Sequence, residues 1–195
     1  MKKSPRAIIR TMLCLTTLML PGITVSTAAP AGAGEKAMAE YEVKAVYLLN
    51  LGKFTQWPQT AFTEPEQELV LGLFGEDVFG EALELITAKK IQGRRLIIKK
   101  LGKGGDPRGC HILFISASEK RRLKQILSLL ADQPVLTVSD MSGFAEEGGM
   151  IGLKEMDNKI NIIINVMAAK EAGLILRSQL LNISTIINKD NPLTR

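Results

Sequence analysis

The chain has 195 residues, 46% of them hydrophobic and 23% charged, with one histidine, two cysteines and a formal net charge of +5. That balance specifies a folded domain with a core and excludes a disordered, single-sign tail. It also excludes a four-ligand histidine/cysteine zinc centre.

Lys2, Lys3, Arg6 and Arg10 precede an apolar run from Met12 to Val25, broken by Pro21-Gly22, and then the small residues S-T-A-A-P-A-G-A. This is the order of a secretory signal peptide, and the apolar part is shorter than the roughly 20 residues of a membrane span. Ala31-Gly32-Ala33 is the best cleavage site, so the predicted leader is residues 1–33 and the mature chain begins near Gly34. Cys14 follows Leu13, not the small residue of a lipoprotein signal. The leader carries four positive charges and no acid, leaving 5 − 4 = +1 on the mature chain. The basic clusters Lys89-Lys90, Arg94-Arg95, Lys99-Lys100 and Lys120-Arg121-Arg122 are interleaved with acids and lack aromatic neighbours to stack on bases. They read as solvated surface, and no nucleic-acid partner is predicted. With the leader gone, Cys110 has no cysteine to pair with in its own chain: it is either a buried free thiol or a site of intermolecular pairing. Residues 34–195 show no repeat or linker and are read as a single domain.

In chain order, Val43, Tyr47, Leu51 and Phe54 recur at helical spacing, and Trp57-Pro58 ends the run, predicting an amphipathic helix over Lys36 to Phe54. L-V-L-G-L-F, Leu69 to Phe74, reads as a strand, and Asp77 is placed to cap a helix from Val78 to about Ala88. Arg94 to Leu101 is a second strand, followed by the loop G-K-G-G-D-P-R-G. His111 to Ile115 is a third, apolar enough to be covered on both faces. Ser116-Ala117-Ser118-Glu119 has capping-box spacing and opens a helix through about Ala131. Pro134 to Val138 is a fourth strand. Met150 to Glu155 and Lys159 to Asn165 form a hairpin around an Asp-Asn turn. Ala169, Ala172, Leu176, Leu180, Ile183 and Ile187 form one stripe of a final helix from Val166 to about Asn188. Crossover helices of this kind join parallel strands. The expected fold is therefore a layered α/β domain with a largely parallel sheet flanked by helices, a C-terminal β-hairpin and a long C-terminal helix.

Few residues offer chemistry. Cys110 and His111 are neighbours in a strand and point to opposite faces, so they cannot converge on one metal or substrate atom. The glycine-rich loop from Gly102 to Gly109 is followed by a strand, so no helix N-terminus meets a phosphate there. Ser139, Asp140 and Ser142 lack a nucleophile-elbow pattern. No catalytic residue, cofactor or metal is predicted. What remains is a crevice beyond the carboxyl ends of the strands, with Gly75, Asp77, Ser116, Ser139 and Asp140 as candidate ligand contacts that are equally ordinary helix caps.

In this order the chain resembles the YfiR family of exported regulatory proteins. The likeness rests on K-A-V-Y-L-L-N-L-G-K-F-T-Q-W-P, L-F-G-E-D-V-F-G, I-Q-G-R-R, G-C-H-I-L-F-I-S-A-S-E, P-V-L-T-V-S-D-M-S-G-F-A-E-E-G-G-M-I and I-N-V-M-A-A-K-E-A-G-L-I-L-R-S-Q-L-L, which span nearly the whole mature chain. The resemblance implies a non-enzymatic periplasmic protein that represses an inner-membrane diguanylate cyclase by binding its periplasmic sensory part, lowering cyclic di-GMP and biofilm formation. It also implies a homodimer and a partner contact toward Gly143 to Asn165. The family commonly has a cysteine in its first strand able to pair with the one matching Cys110; this chain has Gly72 at or near that point, and Val78 where Asp-Pro is usual. Met150, Ile151 and Met156 are candidates for an apolar partner-binding patch, the first two equally for the core. The rival reading is a periplasmic small-molecule receptor that uses the strand-end crevice and feeds a sensor kinase or transporter.

Overall fold

A computed structural model describes residues 31–102, 104–157 and 159–188. The predicted leader up to residue 30, with Cys14, lies outside them. Helix α1 spans Ala31–Phe54, followed by strand β1 (Thr55–Gln56) and a 3-10 turn, Gln59–Ala61. Strand β2 (Leu69–Phe74) leads to a 3-10 helix, Gly80–Leu85, then β3 (Lys90–Ile91), β4 (Arg94–Gly102) and β5 (Ile112–Ile115). A 3-10 stretch, Ala117–Arg122, runs into α2 (Leu123–Leu129), followed by β6 (Leu136–Ser139), β7 (Ile151–Met156) and β8 (Lys159–Asn165). The chain ends in short pieces: α3 (Val166–Glu171), β9 (Ile175–Leu176), α4 (Ser178–Leu181) and β10 (Thr185–Ile187).

Eight strands form one sheet in the order β10-β8-β7-β6-β5-β2-β4-β3. Its centre, β7-β6-β5-β2-β4, is parallel throughout. The β7–β8 hairpin is antiparallel with Met156 opposite Lys159; Asn158 of the predicted Asp-Asn turn lies outside the described residues. Strands β3 and β4 are joined by Gln92 and Gly93, both at positive φ (51° and 84°), the turn geometry that follows the twist of a tight hairpin. Strand β5 is buried at all four positions and alternates between two cores. Ile112 and Phe114 join Leu69, Leu71, Leu73, Leu136 and Val138 beneath α1. Leu113 and Ile115 join Phe74, Cys110 and the α2 residues Leu123, Ile126 and Leu127 on the other face. The expected layered α/β arrangement with a largely parallel sheet is therefore present.

Helix α1 crosses the sheet with Ala45, Leu48 and Leu51 buried. Gly52 lets the helix approach closely, since a Cβ there would lie 2.6 Å from Ile91 Cδ1. The helix does not bury the whole stripe read from the sequence. Leu51 is in the core, Tyr47 and Phe54 are half-buried, and Val43 is exposed.

The long C-terminal helix is absent. Helix α3 stops where Gly173 adopts φ 73°, with its N–H bonded to Lys170 O and the Leu174 N–H bonded to Ala169 O. This paired closure satisfies the last carbonyls and turns the chain away from the helix axis. Ile175 and Leu176 then pair antiparallel with β1, and Thr185 to Ile187 add as a parallel edge strand beside β8. β-branched residues at 183, 186 and 187 favour extended backbone over the predicted helix. The two other helices are also shorter than expected: the first is a 3-10 helix, Gly80–Leu85, and the second begins as 3-10 before becoming α2. Replacing Gly173 with alanine should cost about 1 kcal/mol through the strained left-handed backbone, measured by urea denaturation; an unchanged midpoint would show that this turn does not end the helix.

Candidate functional site

The crevice residues lie where the sequence places them, at the carboxyl ends of β2, β5 and β6, but internal bonds occupy them. Asp77 Oδ1 accepts the backbone N–H groups of Phe79 and Gly80, both at 3.1 Å, and its Oδ2 holds Lys100 Nζ at 2.6 Å. Ser116 caps Ser118 N–H, and Ser118 Oγ accepts from Glu76 N–H at 3.0 Å. A Cβ at Gly75, itself at φ 96°, would fall 2.6 Å from that same Ser118 hydroxyl. Ser139 is fully buried, donating to Ile115 O at 2.7 Å and accepting from Met141 N–H.

Asp140 is covered by α1. Its Oδ2 accepts from Lys44 Nζ at 2.7 Å and from the Tyr41 hydroxyl at 3.1 Å. Lys44, itself buried, also meets Glu40 at 2.5 Å one helical turn back. Burial alone would lower the lysine pKa, but the bonds to Asp140 and Glu40 outweigh it and raise the value. Burial and then the Asp140 charge push Tyr41 up to about 12. The lysine therefore stays charged and the phenol stays protonated, the states this cluster needs. Tyr41 also packs edge-on against Phe79, whose ring meets Phe114 in the core. Removing Lys44 would leave Asp140 and Glu40 without their cation, at a cost of roughly 3 kcal/mol.

At the other end of the strands the Cys110-His111 pair divides between faces. Burial pushes the Cys110 thiol up to about 11, so it is a poor nucleophile, and its 5% exposure closes it to a second chain. A Cβ at Gly72 would lie 2.6 Å from Cys110 Sγ, so position 72 adjoins the thiol and holds no sulfur. His111 Nδ1 accepts the Val70 N–H at 3.0 Å, which puts its proton on Nε2, 3.1 Å from Ala61 O. Its ring stacks on Phe62 at 4.5 Å, and the Arg94 guanidinium lies over the Phe62 ring at 3.7 Å. The Trp57 indole N–H donates to His111 O. His111 is thus a pin that holds the segment after α1 against the sheet.

Among the described residues no His, Cys, Asp and Glu side chains cluster as metal ligands, and every buried side-chain nitrogen and oxygen has a partner. The described residues of the glycine-rich loop between β4 and β5 form no helix. Of the three proposed patch residues, Met150 and Ile151 are core, 7% and 0% exposed, because β7 lies inside the sheet; Met156 at the hairpin tip is 48% exposed.

The outer side of α1 was missed by the sequence reading. Val43 and Val46 stand 46% and 44% exposed, with Leu85 and Ile183 nearby at 49% and 68%. They line an open groove of about 570 Å³ with Tyr47. Val43 and Tyr47 also line a second groove of about 630 Å³, which runs to Glu155, Lys159 and Ile160 of the hairpin. Helix and hairpin therefore share one continuous surface, apolar in the middle and carrying Lys36, Glu40, Glu42 and Lys159 around it. The available signal was an apolar pair at 43 and 46 lying off the buried 45-48-52 stripe.

A family model described as YfiR/HmsC-like matches residues 41–185. No curated protein matches the chain.

Burial, opposed by the bond to Ala61 O and reinforced by the Arg94 cation, holds His111 below its ordinary 6.5. The unfolded chain then takes up this proton first on acidification. The stabilisation is complete above the unfolded value near 6.5 and is lost as pH falls through the lower folded value. Thermal melts between about pH 7.5 and 5 should show a steeper loss for the parent than for His111→Phe, which keeps the stack but cannot titrate. Parallel curves would remove the histidine from this role.

Proposed function

The chain belongs to the YfiR/HmsC-like family, and on that premise we propose that it binds the periplasmic sensory part of an inner-membrane diguanylate cyclase and holds it inactive. Membership itself points to a periplasmic regulator of cyclic di-GMP signalling. The finer reading adds the target and its consequences, lower cyclic di-GMP and less biofilm, with no reaction catalysed by this chain. It includes export under the N-terminal leader, with residues 34–195 as the working domain. No described helix is long and apolar enough to cross a membrane.

The observation that carries the contact is the exposed apolar stripe on α1, Val43 and Val46 with Leu85 and Ile183. The strand-end polar groups are already bonded within the molecule, which disfavours a small-molecule receptor. Repression requires tighter binding to the inactive cyclase than to the active one. Moving such an equilibrium from 1:99 to 99:1 takes about 5.5 kcal/mol. Burying the rest of four half-exposed aliphatic side chains supplies roughly 1 kcal/mol each, so the charged rim from Lys36 to Lys159 must contribute as well.

Val46→Asp should leave folding intact and raise cellular cyclic di-GMP toward the level of a gene deletion. Leu129→Asp on α2, a residue 52% exposed on the opposite side of the sheet, should leave it low. Normal repression by a folded Val46→Asp protein would refute the α1 contact.

A further inference from the structure

Strand β4 is fully paired along one side only. Its inner side runs parallel to β2 from Leu96 to Gly102, whereas on its outer side β3 pairs only with Arg94 and Arg95. The Leu96 N–H points outward, to Lys89 O at 2.8 Å. Backbone groups alternate in direction along a strand, so the N–H and C=O groups of Ile98 and Lys100 point outward too. Among the described residues no strand lies there to receive them. A groove of about 520 Å³ runs beside this edge, between β4 and the 3-10 helix, with Leu83, Thr87 and Ile98 in its wall.

The two faces of the edge differ. Leu96 and Ile98 lie on the groove side and pack into the core beneath α1. Arg95, Ile97 and Lys99 alternate onto the other face, with Arg95 and Ile97 also lining the groove where it opens along the strand edge. Arg95 and Lys99 are exposed and in no ion pair among the described residues, whereas Lys100 is held by Asp77. Cations on an edge strand repel a second copy of the same edge, but they attract carboxylates.

We propose that the free edge of β4 receives an extended segment of a partner protein by strand addition. The segment alternates aliphatic residues, which enter the groove, with aspartate or glutamate, which meet Arg95 and Lys99. Backbone pairing supplies affinity, and the alternation supplies specificity. This surface is distinct from the outer face of α1 and does not depend on the identity of the protein bound there.

The probe is a fluorescein-labelled peptide of about eight residues alternating valine and glutamate, titrated into the purified protein by anisotropy. Binding should saturate, slow amide exchange at Ile98 and Lys100, and weaken at least about tenfold in the double variant Arg95→Glu/Lys99→Glu. Ile98→Pro, which removes an outward N–H at an edge where proline is tolerated, should abolish it in protein that circular dichroism shows folded. Leu129→Asp, on an exposed face of α2 away from this edge, should leave the affinity for the peptide unchanged. Absence of binding, binding that leaves the Ile98 and Lys100 amides exchanging as before, or full affinity in the charge-reversed variant would each overturn the proposal.

Discussion

The ion pair between Lys44 and Asp140 is the constraint on which the arrangement rests. It joins residues 96 apart in sequence, ties α1 to the carboxyl end of β6, and is reinforced by Glu40 from the preceding helical turn and by the Tyr41 hydroxyl. A buried lysine is tolerable only because two carboxylates surround it, since desolvation without partners would cost several kcal/mol. Once the bridge forms, α1 lies over the strand ends where an open α/β sheet would otherwise hold a ligand. The same bridge sets the rotation of the helix. Residues 45, 48 and 52 face the sheet, and Val43 and Val46 face water. Closing the crevice and presenting the outer stripe are thus two results of one contact.

The far end of the helix is fixed by different means. Thr55 bonds back to Leu51 O, Trp57 donates to His111 O, and His111 spends both ring nitrogens on backbone groups from separate segments. With charge at one end and a neutral ring at the other, α1 is fastened across the length of the parallel strands. The sheet beneath can then serve as a rigid support, its two cores filled by the strict alternation of β5.

Much of this was legible in the residues. Apolar runs bounded by glycine or aspartate located β2, β4, β5 and β6, and the Asp-Asn turn located the hairpin, because these signals are local. The C-terminal segment misled for a physical reason. Ala169, Ala172, Leu176 and Leu180 do repeat at helical spacing, yet Gly173 closes the helix and Ile175, Ile186 and Ile187 take strand partners. Periodicity cannot distinguish one long helix from two short ones joined by strand. Ser139 and Asp140 were placed at the right end of the sheet, but their availability was not readable, since it is decided by a helix almost a hundred residues earlier. Val43 was assigned to the buried face because α1 is apolar on two sides, and only the packing shows which side the sheet takes.

The central claim is that this outer face of α1 touches the regulated enzyme. A photoreactive amino acid placed at position 46 and irradiated in living cells tests it most directly. The account predicts a covalent adduct with the periplasmic part of a diguanylate cyclase, and none from the same group at position 129. An adduct formed only from position 129, or none from position 46 while repression persists, would contradict it.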